Sequence, residues 1–167
     1  MSSLMICFRP IGVVRTPYPD EEVKRRGSVE GCVEVFPEYA EGLSGIDGFS
    51  HLILIAYLHK HEDKPIKVRP RRLLRYGFSL EELPEVGVFA TDSPDRPNPI
   101  ALTIVRLLRR DGSRLLVEGL DLFDGTPVLD IKPYTPGRAV ARVSVPEWYS
   151  RLAEELRRRK GVDIKEI

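Results

Sequence analysis

The stretch Ile100–Leu120, read as IALTIVRLLRRDGSRLLVEGL, decides the fold class. Its first part, Ile100 to Leu108, is rich in β-branched residues (Ile100, Thr103, Ile104, Val105) and reads as a strand. Asp111-Gly112 is a strong hairpin-turn signal, and Leu115 to Leu120 is the return strand. A chain built on such hairpins forms an antiparallel sheet. The residues around it extend that pattern. On the N-terminal side lies Gly87 to Leu102, GVFATDSPDRPNPIAL. Within it the strand-like run Gly87–Thr91 leads into the polar loop Asp92–Pro99. Three prolines, Pro94, Pro97 and Pro99, stiffen that loop. A loop so restricted is either a rigid turn between strands or a place that holds a ligand in one geometry.

On the C-terminal side, Asp121–Pro127 is a second polar turn. Val128–Ile131 continues as a strand that Lys132-Pro133-Tyr134 ends. Earlier in the chain, Phe8 to Val14 reads as a first strand, and Val29 to Phe36 alternates as a half-buried one. Ser50 to His59 is the most apolar run and reads as a central strand covered on both faces. Asp20 to Ser28 is charged without apolar periodicity and reads as a mobile surface loop. Pro37 to Leu43 suits a single helical turn. Pro70 can open a short helix through Leu74, and Ser79 to Glu82 has capping-box form. Pro146 to Lys160 is the one clear helix, with Trp148, Leu152 and Leu156 on one face and Arg157 to Lys160 at its C-terminal end. Strands do not alternate with long helices. The expected fold is therefore mainly β: a compact closed or nearly closed β-barrel with short helical segments and one C-terminal helix. Residues 1–140 form the barrel domain, and 141–167 the helix and tail.

Composition excludes several classes. Of the 167 residues, 42% are hydrophobic and 31% charged, with a formal net charge of +1, so the chain is neither disordered nor globally basic. The longest apolar run, Leu52–Leu58, is too short to span a bilayer, and Met1–Cys7 lacks the form of a signal peptide. The sequence accordingly reads as a cytoplasmic protein with no membrane partner. Cys7 and Cys32 read as free or buried thiols, with a disulfide as the alternative. Three histidines without a cysteine pair give no zinc pattern, so no metal is expected.

The chemistry-bearing residues gather in few places. The Asp92–Pro99 loop and the Asp121–Pro127 turn, with His59-Lys60, offer carboxylates, an amide, hydroxyls and backbone donors, which suit a polar ligand with a cationic group. A strand through His59 and His61 would turn both to one side. Asp130 and Lys132 read as an ion pair or as a catalytic pair. Lys64–Tyr76 is the densest basic segment, and Lys24–Arg26 a smaller one. Both can meet phosphate or remain solvated surface.

At this point the motifs match a known family. Ile11–Tyr18, Phe49-Ser50-His51-Leu52, Val88-Phe89-Ala90-Thr91, Arg96-Pro97-Asn98-Pro99-Ile100 and Asp124–Tyr134 (DGTPVLDIKPY) closely resemble the TrmO family, also called TsaA-like or YaeB. The resemblance runs from about Ile11 to Pro136. It implies a β-barrel methyltransferase outside the Rossmann class that uses S-adenosylmethionine. It further implies a homodimer with the cofactor near the subunit interface. The implied substrate is tRNA carrying threonylcarbamoyl-adenosine at position 37, methylated on its exocyclic nitrogen. Carried over by position, the cofactor contacts are His59, Lys60, Asp92, Ser93, Pro97, Asn98, Leu102, Asp121, Leu122, Phe123, Asp124 and Thr126, with the loop around Gly27-Ser28 as a further contributor. The acceptor nitrogen must lose a proton, and Asp124, Asp130 and Asn98 are the candidate groups for handling it. Arg26, Lys67, Arg69, Arg71, Arg72, Lys132 and Tyr134 are the candidate tRNA contacts. Asp92 departs from the arginine common in the family, and the longer family members carry a further C-terminal domain. Two other readings remain: a non-catalytic RNA-binding β-barrel, and a methyltransferase of another small substrate.

Overall fold

The computed structural model describes residues 4–164. Eight strands follow in chain order: β1 (Gly12–Arg15), β2 (Val29–Val35), β3 (His51–Tyr57), β4 (Lys67–Val68), β5 (Val86–Gly87), β6 (Ile100–Asp111), β7 (Arg114–Leu120) and β8 (Pro127–Pro133). The two α-helices are α1 (Asp20–Arg26) and α2 (Glu147–Lys160). The chain divides into two compact units. One runs through Lys60 and resumes over Ile100–Arg138; the other comprises His61–Pro99 and the chain from Ala139 onward.

The first unit is a closed barrel in the order β1-β2-β7-β6-β3-β8, all neighbours antiparallel, with β8 returning to β1. Alternation along each strand sends one set of side chains inward. Val14, Val33, Leu52, Leu54, Val105, Leu115, Val117 and Val128 are all fully buried in its core. Each such side chain contributes about 1.5–3 kcal/mol by leaving water. The β6–β7 hairpin turns on Gly112-Ser113, because Asp111 pairs with Arg114. Gly112 has φ +60°, the left-handed conformation that a tight hairpin asks of its first central residue. The turn therefore lies one residue beyond the Asp-Gly signal.

Three sequence expectations are corrected here. The first strand begins at Gly12, not Phe8. Pro10 has no N–H to donate, Phe8 is 66% exposed, and the ladder starts with Ile11 N–H on Val128 O. The charged run from Asp20 is a helix, not a loop. Its acidic first turn and basic last turn oppose the helix dipole, Glu22 pairs with Arg25 and Arg26, Glu21 pairs with Lys24, and Gly27 ends it at φ +80°. A single apolar residue, Val23, anchors it in the core. Gly87–Thr91 is not a strand either. After the β5 residues the chain enters a 3₁₀ turn over Val88–Ala90, where the Thr91 N–H and hydroxyl both donate to Val88 O.

The second unit holds the β4–β5 ribbon, 3₁₀ turns at Arg71–Tyr76 and Leu80–Glu82, and α2. Its core joins Leu73, Phe78 and Leu83 to Leu152 and Leu156, one turn apart on α2, with Trp148 beside them. The Ser79–Glu82 capping box forms, with the Ser79 N–H donating to Glu82 at 2.7 Å. Arg159 joins the pieces: its guanidinium meets Glu82 and Glu155 at 2.5 Å each and lies 4.5 Å from the Phe78 ring centre.

These contacts set an acid response. Arg159, then the Ser79 N–H, holds the Glu82 carboxyl down at about 2 against an ordinary 4.5. Arg158 and Arg159 hold Glu155 at about 2. Lowered carboxyl pKa values mean stability that is present above the unfolded value and lost as pH falls from about 5 toward 2. The melting temperature followed across that window should fall less steeply in Arg159→Ala than in the natural protein. Parallel curves would remove Arg159 from this role.

Candidate functional site at one end of the barrel

Strand direction decides which loops meet. With every neighbour antiparallel, the C-terminal ends of β1, β3 and β7 and the N-terminal ends of β2, β6 and β8 share one end of the barrel. The β1–β2 connection with α1, the β7–β8 turn and His59-Lys60 after β3 therefore all emerge there.

The β7–β8 turn is held on all sides. Leu122 is 2% exposed and packs in the barrel core. The Thr103 hydroxyl, on the inward face of β6, donates to Asp121 Oδ1 at 2.6 Å. The Thr126 hydroxyl and N–H both donate to Phe123 O, at 2.7 and 3.1 Å. Gly125 N–H donates to Val14 O, and Val14 N–H to Thr126 O. Asp124 Oδ1 accepts the Thr16 N–H at 3.0 Å, while its Oδ2 lies 4.0 Å from the Arg15 guanidinium. The turn thus presents fixed groups to whatever binds there.

Phe123 stands half-buried on this turn with two ammoniums over its ring. Lys60 Nζ is 5.4 Å and Lys24 Nζ 5.6 Å from the ring centre. Lys60 also meets Asp20 of α1 at 2.5 Å, so the helix and the chain after β3 are tied together above the turn. Cations over an aromatic face gain from the ring quadrupole. Together the aromatic ring, two cations and two carboxylates can receive a ligand that combines a flat ring with charged ends. His59 is exposed beside Lys60. Because β3 ends at Tyr57, His59 and His61 are not held on one strand face as the sequence suggests. No cluster able to hold a metal occurs among the described residues.

Leu102 lies on the outer wall of β6 and is 64% exposed, flanked by Ile100 and Ile104. Asp130 and Lys132 are on β8 rather than in the turn, and they form the ion pair: Oδ2 to Nζ is 2.7 Å, and Asp130 Oδ1 accepts the Ile131 N–H. Tyr134 follows β8, with its N–H on His51 O. Arg26 pairs with Glu22 and lies 4.9 Å from the Tyr18 ring centre.

The barrel wall also carries a cleft of about 500 Å³, lined among others by Arg15, Tyr18, Cys32, Arg109, Arg114 and Asp124. Glu34 bridges Arg15 at 3.1 Å and Arg114 at 3.5 Å. The Cys32 sulfur beside it raises the Arg114 guanidinium above its ordinary pKa. Sequence reasoning passed over these arginines. Strand parity would have found Arg15, which follows inward Val14 and so must point outward.

In the second unit, Asp92 and Asn98 are exposed, and Ser93 and Pro97 half-buried, on a loop of bends. Ser93 N–H donates to the Thr91 hydroxyl at 3.3 Å, and Arg96 donates to Thr91 O and Ser93 O. His61 Nδ1 lies 2.8 Å from Asp95 Oδ1. Lys67 is in β4, and Arg71 and Arg72 open the first 3₁₀ turn. Arg69 donates to the Leu83 and Leu80 carbonyls, which spends its guanidinium inside the unit.

A closed antiparallel six-stranded barrel with its polar turns at one end defines a β-barrel class distinct from doubly wound nucleotide-binding folds. Residues 13–138 match the family model for the tRNA-methyltransferase O N-terminal domain, and the chain belongs to that family. A "Probable S-adenosyl-L-methionine-binding protein" of Pyrococcus abyssi is 46% identical over 138 residues, covering 80% of this chain and 70% of that one. The tRNA (adenine(37)-N6)-methyltransferase of Escherichia coli K12 is 38% identical over 143 residues, covering 77% of this chain and 57% of that enzyme. The crystal structure of TrmO from Pseudomonas aeruginosa superposes with a TM-score of 0.64 at 30% identity, over 93% of this chain and 74% of that one.

Asp124 serves β1 as well as the turn. Asp124→Ala leaves the Thr16 N–H, on a residue only 8% exposed, without its acceptor. The expected cost is about 1 kcal/mol in urea unfolding. Asp124→Asn keeps an acceptor oxygen and should recover most of it. Equal midpoints for all three proteins would show that this hydrogen bond carries no stability.

Proposed function

We propose that this protein is an S-adenosylmethionine-dependent methyltransferase of tRNA. It acts on the exocyclic amino nitrogen of adenosine, with threonylcarbamoyl-adenosine at position 37 as its substrate. The observation that carries the reading is the placement of the Asp121–Thr126 turn, within the residues that match the family model, together with His59-Lys60 at one end of a closed barrel. The names of the relatives, S-adenosyl-L-methionine-binding protein and tRNA (adenine(37)-N6)-methyltransferase, support it.

The residues present fit such a cofactor. Phe123 offers an aromatic face, Lys24 and Lys60 offer cations to a carboxylate, and Asp121 and Asp124 offer carboxylates to hydroxyl or amino groups. Bound S-adenosylmethionine supplies an electrophilic methyl group. The barrel unit meets it through His59, Lys60, Leu102, Asp121, Leu122, Phe123, Asp124 and Thr126. The family resemblance also assigns cofactor contacts to Asp92, Ser93, Pro97 and Asn98, all on one loop of the second unit. Rigid placement of both reactants supplies much of the rate in a displacement of this kind.

Methylation would form the N–C bond as the methyl–sulfur bond breaks, the electron pair staying on sulfur, and the acceptor nitrogen would give up a proton. Asp124 suits that role better than Asp130. Its Oδ2 is 4.0 Å from the nearest arginine, beyond hydrogen-bond reach, whereas Asp130 Oδ2 is closed by the Lys132 ammonium at 2.7 Å. The Asn98 amide can orient the base. A nucleoside in an anticodon loop reaches such a site without unwinding a duplex. Arg26, Lys67, Arg71 and Arg72 meet backbone phosphates, with Lys132 and Tyr134 as further contacts. The exposed apolar wall of Tyr57, Ile100, Leu102 and Ile104 serves as the contact with a second copy in a homodimer.

Calorimetric titration with S-adenosylmethionine should show saturable binding. Incubation with tRNA bearing the threonylcarbamoyl group should add one methyl group to that nucleoside. No binding at millimolar cofactor would exclude the methyltransferase. Equal methylation of tRNA lacking the group would exclude this substrate. Replacing both Arg71 and Arg72 by Ala should weaken tRNA binding and reduce the slope of log K against log salt by about 1–2. An unchanged slope would remove this segment from the RNA contact.

A further inference from the structure

The Asp92–Pro99 loop carries four of the proposed cofactor contacts but belongs to no strand or helix, so no ladder of backbone hydrogen bonds holds it. Pro94, Pro97 and Pro99 lack N–H groups altogether. Side chains hold the loop instead, and two consecutive residues do so in opposite directions.

Arg96 works within the loop. Its Nη1 donates to Thr91 O at 3.1 Å and to Ser93 O at 3.4 Å, the carbonyls on either side of Asp92. One guanidinium gathers both, so Asp92 stands at the apex of a closed turn with its side chain exposed. The Thr91 hydroxyl tightens the same turn by donating to Val88 O at 3.1 Å and accepting the Ser93 N–H at 3.3 Å. Asp95 works outward. Its Oδ1 lies 2.8 Å from His61 Nδ1, a residue 34 positions earlier in the chain. The side chains are 21% and 35% exposed, so water screens this pair less than an open surface pair.

We infer that Asp95 and His61, together with Arg96, are positioning residues that hold the Asp92–Asn98 loop in its cofactor-binding geometry. The inference rests on the cofactor assignment above. Asp95 and Arg96 spend their charged groups on the protein itself and act on a ligand through Asp92, Ser93 and Asn98. A loop already held in its bound form avoids the ordering cost of binding, and loosening it lowers affinity without removing a contact.

Calorimetry with S-adenosylmethionine on the full chain tests this, alongside steady-state kinetics and thermal melting. Asp95→Ala and His61→Ala should each raise the cofactor Kd about tenfold, the change expected for losing one charge-assisted hydrogen bond. The double variant should be no worse than either alone, because both remove the same interaction. The effect should fall on KM for the cofactor more than on kcat. Asp95→Asn retains an acceptor for His61 and should recover binding to within about threefold, a partial loss in keeping with the weaker neutral hydrogen bond. Natural protein that binds, with the Asp95→Ala Kd unchanged, overturns the positioning role alone. A lowered melting temperature with unchanged affinity does the same, since it marks a merely structural tie. Failure of the natural protein to bind overturns the functional reading and this inference with it.

Discussion

The return of β8 to β1 is the contact on which the rest of the barrel depends. It is short: Gly12 pairs with Val128 and Val13 with Pro127. Gly12 must be glycine, because a Cβ there would stand 2.4 Å from Glu34 O on the neighbouring strand. That close approach lets β1 lie between β2 and β8 and leaves no open edge. Closure also fixes direction. Once six strands alternate around a ring, the connections after β1, β3 and β7 share an end, and the chemistry of those connections converges without any of them being long.

The same closure explains why the β7–β8 turn is rigid although it is polar. Its backbone bonds run to β1, across the closing seam, through Gly125 to Val14 and Val14 to Thr126. Asp124 adds a side-chain tie to Thr16, and Asp121 one to Thr103 inside the barrel. The polar groups most suited to a ligand are therefore also the ones that finish the seam. The second unit has a different economy. It is built from short 3₁₀ turns around a small apolar cluster, and its loop at Asp92 depends on side-chain clasps rather than on a sheet.

Much of the barrel was legible because period-2 patterns with β-branched residues mark strands directly. The run Ile100–Leu120 announced its hairpin, and the apolar run Ser50–His59 announced a central strand, whose Leu52, Leu54 and Ala56 the structure places in the core. The helix α1 was hidden because one apolar residue, Val23, gives no periodicity; its stability comes from charge spacing and the helix dipole. The Asp130–Lys132 pair was readable because residues two apart on a strand share a face. Phe123 between two lysines, Asp121 with Thr103, and His61 with Asp95 were not. Each joins residues far apart in sequence, and only the closed topology or the return of a long excursion brings them together.

The proposed cofactor site is where the β7–β8 turn, His59-Lys60 and the start of β6 emerge. The most direct measurement is amide chemical-shift mapping of the 19.0 kDa chain titrated with S-adenosylhomocysteine. Shifts concentrated at His59, Lys60, Leu102 and Asp121–Thr126 are expected. Saturating shifts confined to the opposite end, around the Asp111–Arg114 hairpin, would contradict it.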